Sequence, residues 1–458
     1  MFNIDIELIK KYDKPGPRYT SYPTAPHFSE EFSDQQYVSA IKENNSPENK
    51  TPLSLYFHIP FCDTLCYFCG CNMIISNNRG RVANYVDYVK KEIALLKTHL
   101  ANNRIVTQLH WGGGTPTHLK PEEIKDLLSY INANFDVDKN AEASCEIDPR
   151  ELTFEHLKAL REGGFNRISM GVQDFTHKVQ VAVNRIQPED ITRKAVDWVR
   201  ELKFQSINLD LMYGLPHQTL ETFSETLEKI IDISPNRIAV FNYAHVPWMK
   251  KHMELINPED LPTPDVKLQI LKYTIERLTE AGYVFIGMDH FAKPDDELAI
   301  ALSEKKLYRN FQGYSTQSGT DLYALGITSI SQFSNIYSQN IKTEKEYFEK
   351  IDNGFLPLAK GYLMSDDDVL RRDVIMSLMC DFELKFKTFE EKYNINFKKY
   401  FANGLEKINQ FVSDDLVLVE HDNIKVTEMG RLLIRNIAMC FDAFLEDDKG
   451  KVRYSRTV

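Results

Sequence analysis

The sequence predicts an α/β fold of repeated strand-helix units, and three observations carry that reading. Six β-rich runs alternate with amphipathic helical runs between residues 53 and 292; several helices have legible ends; polar and glycine residues gather where the strands finish. Repeated βα units imply parallel strands, and right-handed crossovers curl them into a barrel or an arc. Periodicity alone leaves a flat doubly wound sheet open.

Taken in order, residues 1–50 begin with a short helical pattern. Pro15, Pro17, Pro23 and Pro26 then fall among tyrosines and threonines, a composition that favours an extended arm. The six strands are expected at Leu53–Ile59, Ile105–Trp111, Ala143–Ile147, Arg167–Val172, Ser206–Met212 and Arg237–Tyr243, with a further strand at Val284–Met288. Between them, Asn84–Leu100 places Tyr85, Val89, Ile93 and Leu96 on one stripe, Pro121 opens a helix, and Thr153 caps another that stops at Gly163-Gly164. Thr222-Phe-Ser-Glu225 reads as a capping box, and Thr263-Pro264 starts a helix ending near Gly282. This places a catalytic barrel with extensions over residues 51–350. Residues 351–458 read as a smaller, mostly helical part. There Leu416–Glu420, a turn at Asp422-Asn423, Ile424–Thr427 and a helix from Arg431 to Phe444 give a winged-helix-like pattern. A chain of 458 residues accommodates one large barrel plus such a domain.

Bulk properties narrow the function classes. A net charge of −11 argues against broad nucleic-acid binding, and Glu420, Asp422 and Glu428 crowd the winged-helix pattern itself. No uncharged apolar run is long enough to span a bilayer. The opening segment carries Asp5, Glu7, Lys10, Lys11 and Asp13 rather than a signal-peptide core, so a cytoplasmic, reducing location is expected.

Four of the seven cysteines fall in one run, Cys62-Asp-Thr-Leu-Cys66-Tyr-Phe-Cys69-Gly-Cys71. Such concentration speaks against disulfide staples. Structural zinc sites usually draw two separated pairs of ligands, and no second pair exists here. Spacings of three, two and one residues suit a tight loop around one face of a larger inorganic body. Asp63, Thr64, Gly70 and Asn72 make the segment too polar and turn-like for plain core. Downstream, Gly112-Gly-Gly-Thr-Pro116 either forms a tight strand-to-helix turn or brings backbone N–H groups close to a ligand carboxylate. Glu146 and Asp148 share one strand face, where buried carboxylates need partners such as an ammonium, a ribose hydroxyl or Arg150 or Arg167. Tyr56 and His58 likewise share a face, the histidine being ordinarily a satisfied core residue.

The cysteine run, with aromatic Phe68 before its third member, resembles the radical S-adenosylmethionine (SAM) enzymes. Closer likeness is to the oxygen-independent coproporphyrinogen III oxidase family. It rests on Tyr56-Phe-His-Ile-Pro-Phe-Cys62, Cys69-Gly-Cys71-Asn72, His110-Trp-Gly-Gly-Gly-Thr-Pro-Thr117 and Pro15-Gly-Pro-Arg-Tyr-Thr-Ser-Tyr-Pro-Thr24. That resemblance selects a partial (β/α)6 radical-SAM barrel. It implies a [4Fe-4S] cluster on Cys62, Cys66 and Cys69, with one iron open to SAM, and two SAM molecules. Tyr56, Gly113, Glu146 and Ile330 match first-SAM positions. Phe68, the Gly114-Thr115 backbone, Gln173, Arg185, Asp210 and Ala244 match the second. Cys71 and Tyr56 are the catalytic candidates, and Arg18 in the arm is the candidate partner for a substrate propionate, a solvated arginine being the alternative. The implied reaction converts two propionates of coproporphyrinogen III to vinyl groups, giving protoporphyrinogen IX in heme biosynthesis, with a low-potential donor such as flavodoxin and a monomeric enzyme. The rival readings are a heme chaperone, whose relatives carry an acidic and aromatic pair in place of Gly70-Cys71 and lack the arm, an RNA-modifying radical SAM enzyme, and a zinc-stabilised winged-helix module.

Overall fold

The computed structural model describes residues 4–100, 104–447 and 454–457; residues 1–3, 101–103, 448–453 and 458 fall outside the described residues. The six expected strands all form: β1 (Leu53–Ile59), β2 (Ile105–Gly113), β3 (Asp136–Ile147), β4 (Arg167–Gln173), β5 (Ser206–Tyr213) and β6 (Arg237–Asn242). They pair in parallel, each with the next. Helices α1 (Arg79–Lys97), α2 (Pro121–Asn134), α3 (Phe154–Glu162), α4 (Glu189–Glu201), α5 (Leu220–Ile233) and α6 (Pro264–Glu280) supply the crossovers and the helix after β6. Their apolar stripes, such as Tyr85, Val89 and Ile93 on α1, pack with Leu55, Phe57, Leu109 and Leu209 of the strands into one continuous core.

Local chemistry shifts several boundaries. α1 starts at Arg79 rather than Asn84, because the Asn78 side chain accepts the Arg81 N–H and caps the helix there. In α5 the capping box is Thr219 with Thr222, one turn earlier than the expected Thr222 with Glu225. β3 begins at Asp136, and its polar early residues extend the ladder from Ile105↔Asp136 before an irregularity in register.

The sheet continues beyond the six units. After β6 come β7 (Val284–Gly287), β8 (His290–Ala292), β9 (Asp321–Leu325), β10 (Ile330–Phe333), β11 (Ile336–Asn340) and β12 (Leu358–Leu363). The order is β12-β11-β10-β9-β1-β2-β3-β4-β5-β6-β8-β7, twelve strands whose ends never pair with one another, so the barrel is open. The expected strand at Val284–Met288 is therefore not a seventh βα strand. It ends at Gly287, Met288 turns back with φ +50, and the returning β8 separates it from β6, antiparallel to both.

Within the N-terminal part, helices at Ile6–Tyr12 and Asp34–Asn44 bracket the extended proline arm. The C-terminal part begins at Asp366, after β12, with the helix Asp366–Asp381. Its three-stranded sheet of Glu383–Lys385, Asn423–Val426 and Val417–Val419 contains the expected hairpin. The helix expected over Arg431–Phe444 is broken into Glu428–Leu432, Ile434–Ala438 and the 3-10 turn Met439–Phe441. Docking explains the break: buried Asn436 donates to the Tyr12 carbonyl, and buried Arg435 donates to the carbonyls of Gly16 and Pro17, so this segment bends to hold the arm. No helix among the described residues is long and apolar enough to cross a membrane.

Candidate active site

All the singular residues meet at the C-terminal ends of the parallel strands, the reactive end of α/β barrels. β1 runs into the cysteine loop, which is pinned from two sides. The Tyr67 N–H donates to the Val183 carbonyl (3.0 Å), and Asn184 Nδ2 donates to the Leu65 carbonyl (2.8 Å). From the opposite side His252 Nε2 and Lys250 Nζ donate to the carbonyls of Cys69 and Cys71, both at 2.8 Å. Phe68 is buried with Cys66, Val179, Leu215 and Tyr243, which makes it a packing anchor of the loop. All seven cysteines are free thiols.

Cys62, Cys66 and Cys69 fit a cluster on chemical grounds. Arg150 Nη2 and Arg185 Nη1 approach Cys66 Sγ at 3.5 and 3.6 Å, and Thr115 Oγ1 lies 3.3 Å from Cys62 Sγ. Guanidinium donors at a sulfur favour its thiolate form. Both arginines are themselves held by Asp148, at 2.6 and 3.0 Å. Burial alone would raise the Asp148 carboxyl, but Arg185 and Arg150 bring it down to about 2. Among the described residues no three His, Cys, Asp or Glu side chains converge on a point for one metal ion.

Of the two readings of the glycine run, the tight turn is the one its N–H groups form. The Gly113 N–H donates to Glu146 Oε2 (3.1 Å), the Gly114 N–H to the Ile59 carbonyl and the Thr115 N–H to the Phe61 carbonyl, both 2.8 Å. These amides are engaged within the chain instead of being offered to a ligand, because the exits of β1 and β2 are tied together. The close approach itself is present. A Cβ on Gly114 would lie 2.4 Å from the Pro60 oxygen, and Gly113 has φ +117 with the His58 ring 2.8 Å from its would-be Cβ.

Glu146 also takes His110 Nε2 at 3.3 Å. Burial pushes its carboxyl up, yet His110 and the Gly113 N–H hold it below the usual range, so it is a carboxylate. It lies deep in the barrel, while 45% of its side-chain surface is open, so it faces the lumen. Tyr56 stacks on His110, ring centroids 5.6 Å apart, and its hydroxyl lies 3.1 Å from His58 Nδ1. Since His58 Nε2 faces the Asn72 carbonyl at 2.9 Å, it carries the proton there and Nδ1 accepts from Tyr56. Burial lowers the His58 pKa, in keeping with a neutral ring.

Across β4 and β5, Gln173 has φ +70 and a buried Oε1 with no protein partner. Arg185 Nη2 donates to the Gly171 carbonyl at 2.8 Å. Asp210 accepts from Asn208 Nδ2 at 2.7 Å, and burial lifts its carboxyl to about 7. The register Gly171↔Asp210↔Ala239 aligns these strands at the lumen. Cys71 is exposed beside its loop neighbours. Ile330, in contrast, packs beside Phe28, Phe311 and Tyr337 at the start of β10. Ala244 and Arg18 line one cavity of about 550 Å³, together with Lys267 and Arg435. Arg18 is not a solvated arm residue, because it pairs with Asp289.

The sequence picks out Asn208 among the polar residues of the fifth strand and His110 at the head of the glycine motif but assigns neither a role, and it gives no sign of Lys250, His252 or Lys267. His110 and Asn208 were signalled by alternation with Gly112 and Asp210; the other three sit on a loop and a helix whose placement no local pattern discloses.

A three-cysteine loop at the mouth of an open α/β barrel, with a carboxylate and glycine turn beside it, defines a radical SAM enzyme, and residues 56–230 match the Radical SAM superfamily. That membership implies a [4Fe-4S] cluster and SAM. Residues 364–433 match the HemN C-terminal domain. The chain is 48% identical over 99% of its length to the oxygen-independent coproporphyrinogen III oxidase of Synechocystis, covering 97% of that protein, and 47% identical over 99% to that of Escherichia coli, covering 98%. The solved coproporphyrinogen III oxidase of Escherichia coli, described as a radical SAM enzyme, superposes with a TM-score of 0.92 at 47% identity, over 96% of this chain and 99% of that one. The chain belongs to the oxygen-independent coproporphyrinogen III oxidase family.

Proposed function

We infer that this chain oxidatively decarboxylates coproporphyrinogen III in heme biosynthesis, turning two propionates into vinyl groups without oxygen. The observation that carries the reading is a large cavity walled by Arg18, Lys267 and Arg435 on a chain of net charge −11, joined to the three-cysteine loop through Tyr243, which lines the cavity and packs with Cys66 and Phe68. A basic pocket on an acidic protein suits a tetracarboxylate, each charge-assisted hydrogen bond contributing roughly 1.5 to 3 kcal/mol.

When bound, the cluster and SAM supply the 5′-deoxyadenosyl radical that takes a hydrogen atom from a propionate β-carbon. The chain's own residues then act by placement. Cys62, Cys66 and Cys69 would hold the cluster, with Arg150 and Arg185 donating to Cys66 Sγ. Glu146, ionised and lumen-facing, suits an ammonium group of a first SAM, beside Gly113 and Tyr56; Ile330 is assigned to the same site by family likeness. Gln173, with its unpartnered Oε1, joins Asp210, Arg185, Phe68, the Gly114-Thr115 backbone and Ala244 as the proposed holder of a second SAM. Cys71, following Cys69 too closely to reach round as a fourth ligand, is assigned by family likeness to act on the reacting substrate. Arg18, screened by Asp289, still has donors for a propionate. The reading carries with it a low-potential donor such as a flavodoxin, a monomer and a cytoplasmic setting.

Anaerobic incubation with reductant, SAM and coproporphyrinogen III tests it. Release of two carbon dioxide molecules per porphyrinogen, with methionine and 5′-deoxyadenosine, is expected. SAM cleavage that leaves coproporphyrinogen unchanged would overturn it.

A further inference from the structure

Five cations face the 550 Å³ cavity: Lys10, Arg18, Lys267, Arg435 and Arg456. Three of them are already neutralised. Lys10 pairs with Asp265 at 2.8 Å, Arg18 with Asp289, and Arg456 Nε with Asp13 at 2.5 Å. Arg435 spends its donors on the carbonyls of Gly16, Pro17, Arg456 and Thr457.

Lys267 differs from all of these. Its Nζ donates to Asn242 Oδ1 and the Tyr243 carbonyl, both at 3.0 Å, and among the described residues it forms no ion pair. An ammonium has three protons, so one remains for a further acceptor. The acid whose charge acts on it is Asp13, which Arg456 also holds. Burial lowers the Lys267 pKa, and the Asp13 charge only partly offsets it.

The placement is built rather than incidental. Lys267 lies in the first turn of the 17-residue α6, where the helix dipole adds to the positive potential. Its stem crosses Gly214, which follows β5 with φ +87. A Cβ there would fall 2.4 Å from Lys267 Cε and 2.9 Å from Nζ, so only glycine lets the side chain reach the ends of β5 and β6. The amine thus stands at the reactive mouth of the barrel and on the cavity wall at once.

We propose that Lys267 is a specificity-determining residue that binds one propionate carboxylate of the porphyrinogen substrate. This rests on the functional reading above. The carboxylate supplies an acceptor for the third ammonium proton and the direct ion pair that Lys267 does not form among the described residues.

Lys267→Met keeps the stem over Gly214 and removes the charge. Loss of one charge-assisted bond raises KM for coproporphyrinogen III on the order of ten- to a hundredfold, with KM for SAM within about twofold of wild type, the scatter ordinary between protein preparations. A second measurement uses the unaltered enzyme: saturating coproporphyrin III shields Lys267 from amine acylation, read by peptide mass spectrometry, whereas SAM alone leaves its labelling unchanged. An unchanged KM for coproporphyrinogen III, a rise confined to SAM, or labelling indifferent to coproporphyrin III overturns the assignment. If the wild-type enzyme itself leaves coproporphyrinogen untouched, the functional reading fails instead, so the two failures are distinct.

Discussion

Substituting Gly114 by alanine tests how the glycine turn holds the cysteine loop. The new Cβ would lie 2.4 Å from the Pro60 oxygen, 2.6 Å from the Pro60 carbonyl carbon and 2.8 Å from the Phe61 oxygen, all backbone atoms that no rotamer change can move. Overpacking of this kind costs about 1 to 3 kcal/mol. Relief requires the exits of β1 and β2 to part, which breaks the Gly114-to-Ile59 and Thr115-to-Phe61 hydrogen bonds. At about 0.5 to 1.5 kcal/mol each, the total loss is about 2 to 6 kcal/mol. Anaerobic urea unfolding measures it, with iron content determined on the same preparation, since the displaced segment leads directly into Cys62. Gly70→Ala is the control: nothing lies within 4 Å of its would-be Cβ, so its stability stays within about 0.5 kcal/mol of wild type. A Gly114→Ala enzyme as stable as that control, with full iron, would refute the reasoning.

Asp148→Asn leaves Arg150 and Arg185 without their shared carboxylate. The folded-state carboxyl stands at about 2 against an ordinary 3.8, so it contributes about 2 kcal/mol. That contribution is present above pH 3.8 and is lost as the pH falls towards about 2. Unfolding midpoints of variant and wild type should therefore differ at neutral pH and converge in acid. Asp210 has the opposite sign: raised to about 7, its favourable contribution is complete below pH 3.8 and lost as the pH rises through about 7. Asp210→Asn should thus melt above wild type at alkaline pH, with the advantage shrinking towards acid; a pH-independent difference would contradict the assignment. Cys71→Ser should abolish turnover and spare iron, measured by product analysis and iron assay; parallel loss of both would make Cys71 a ligand.

The barrel strands were legible because each is a short β-branched or aromatic run between turn residues, and the cysteine loop because its spacing is chemical. What escaped was set by distant contacts. The early part of β3 reads as polar loop, yet pairs with β2 through Ile105↔Asp136. β9 to β12 are four to six residues each, and the pairing of β9 with β1, on which the other three are built, is a long-range event. The break in the Arg431–Phe444 helix follows from the arm docking on Arg435 and Asn436. At the site, Glu146 and Asp148 were rightly read as needing partners, and Arg150 is one of them. For Gly113 to Thr115 the sequence could not choose between turn and ligand contact, because their N–H groups depend on how two strand exits are tied, and Lys267 stayed hidden because its reach depends on the rotation of α6 over Gly214.

The most direct test follows the hydrogen atom. Coproporphyrinogen III deuterated at the propionate β-carbons, incubated anaerobically with this enzyme, SAM and reductant, should yield 5′-deoxyadenosine carrying deuterium, in step with vinyl formation. Vinyl product formed alongside unlabelled 5′-deoxyadenosine would contradict the account.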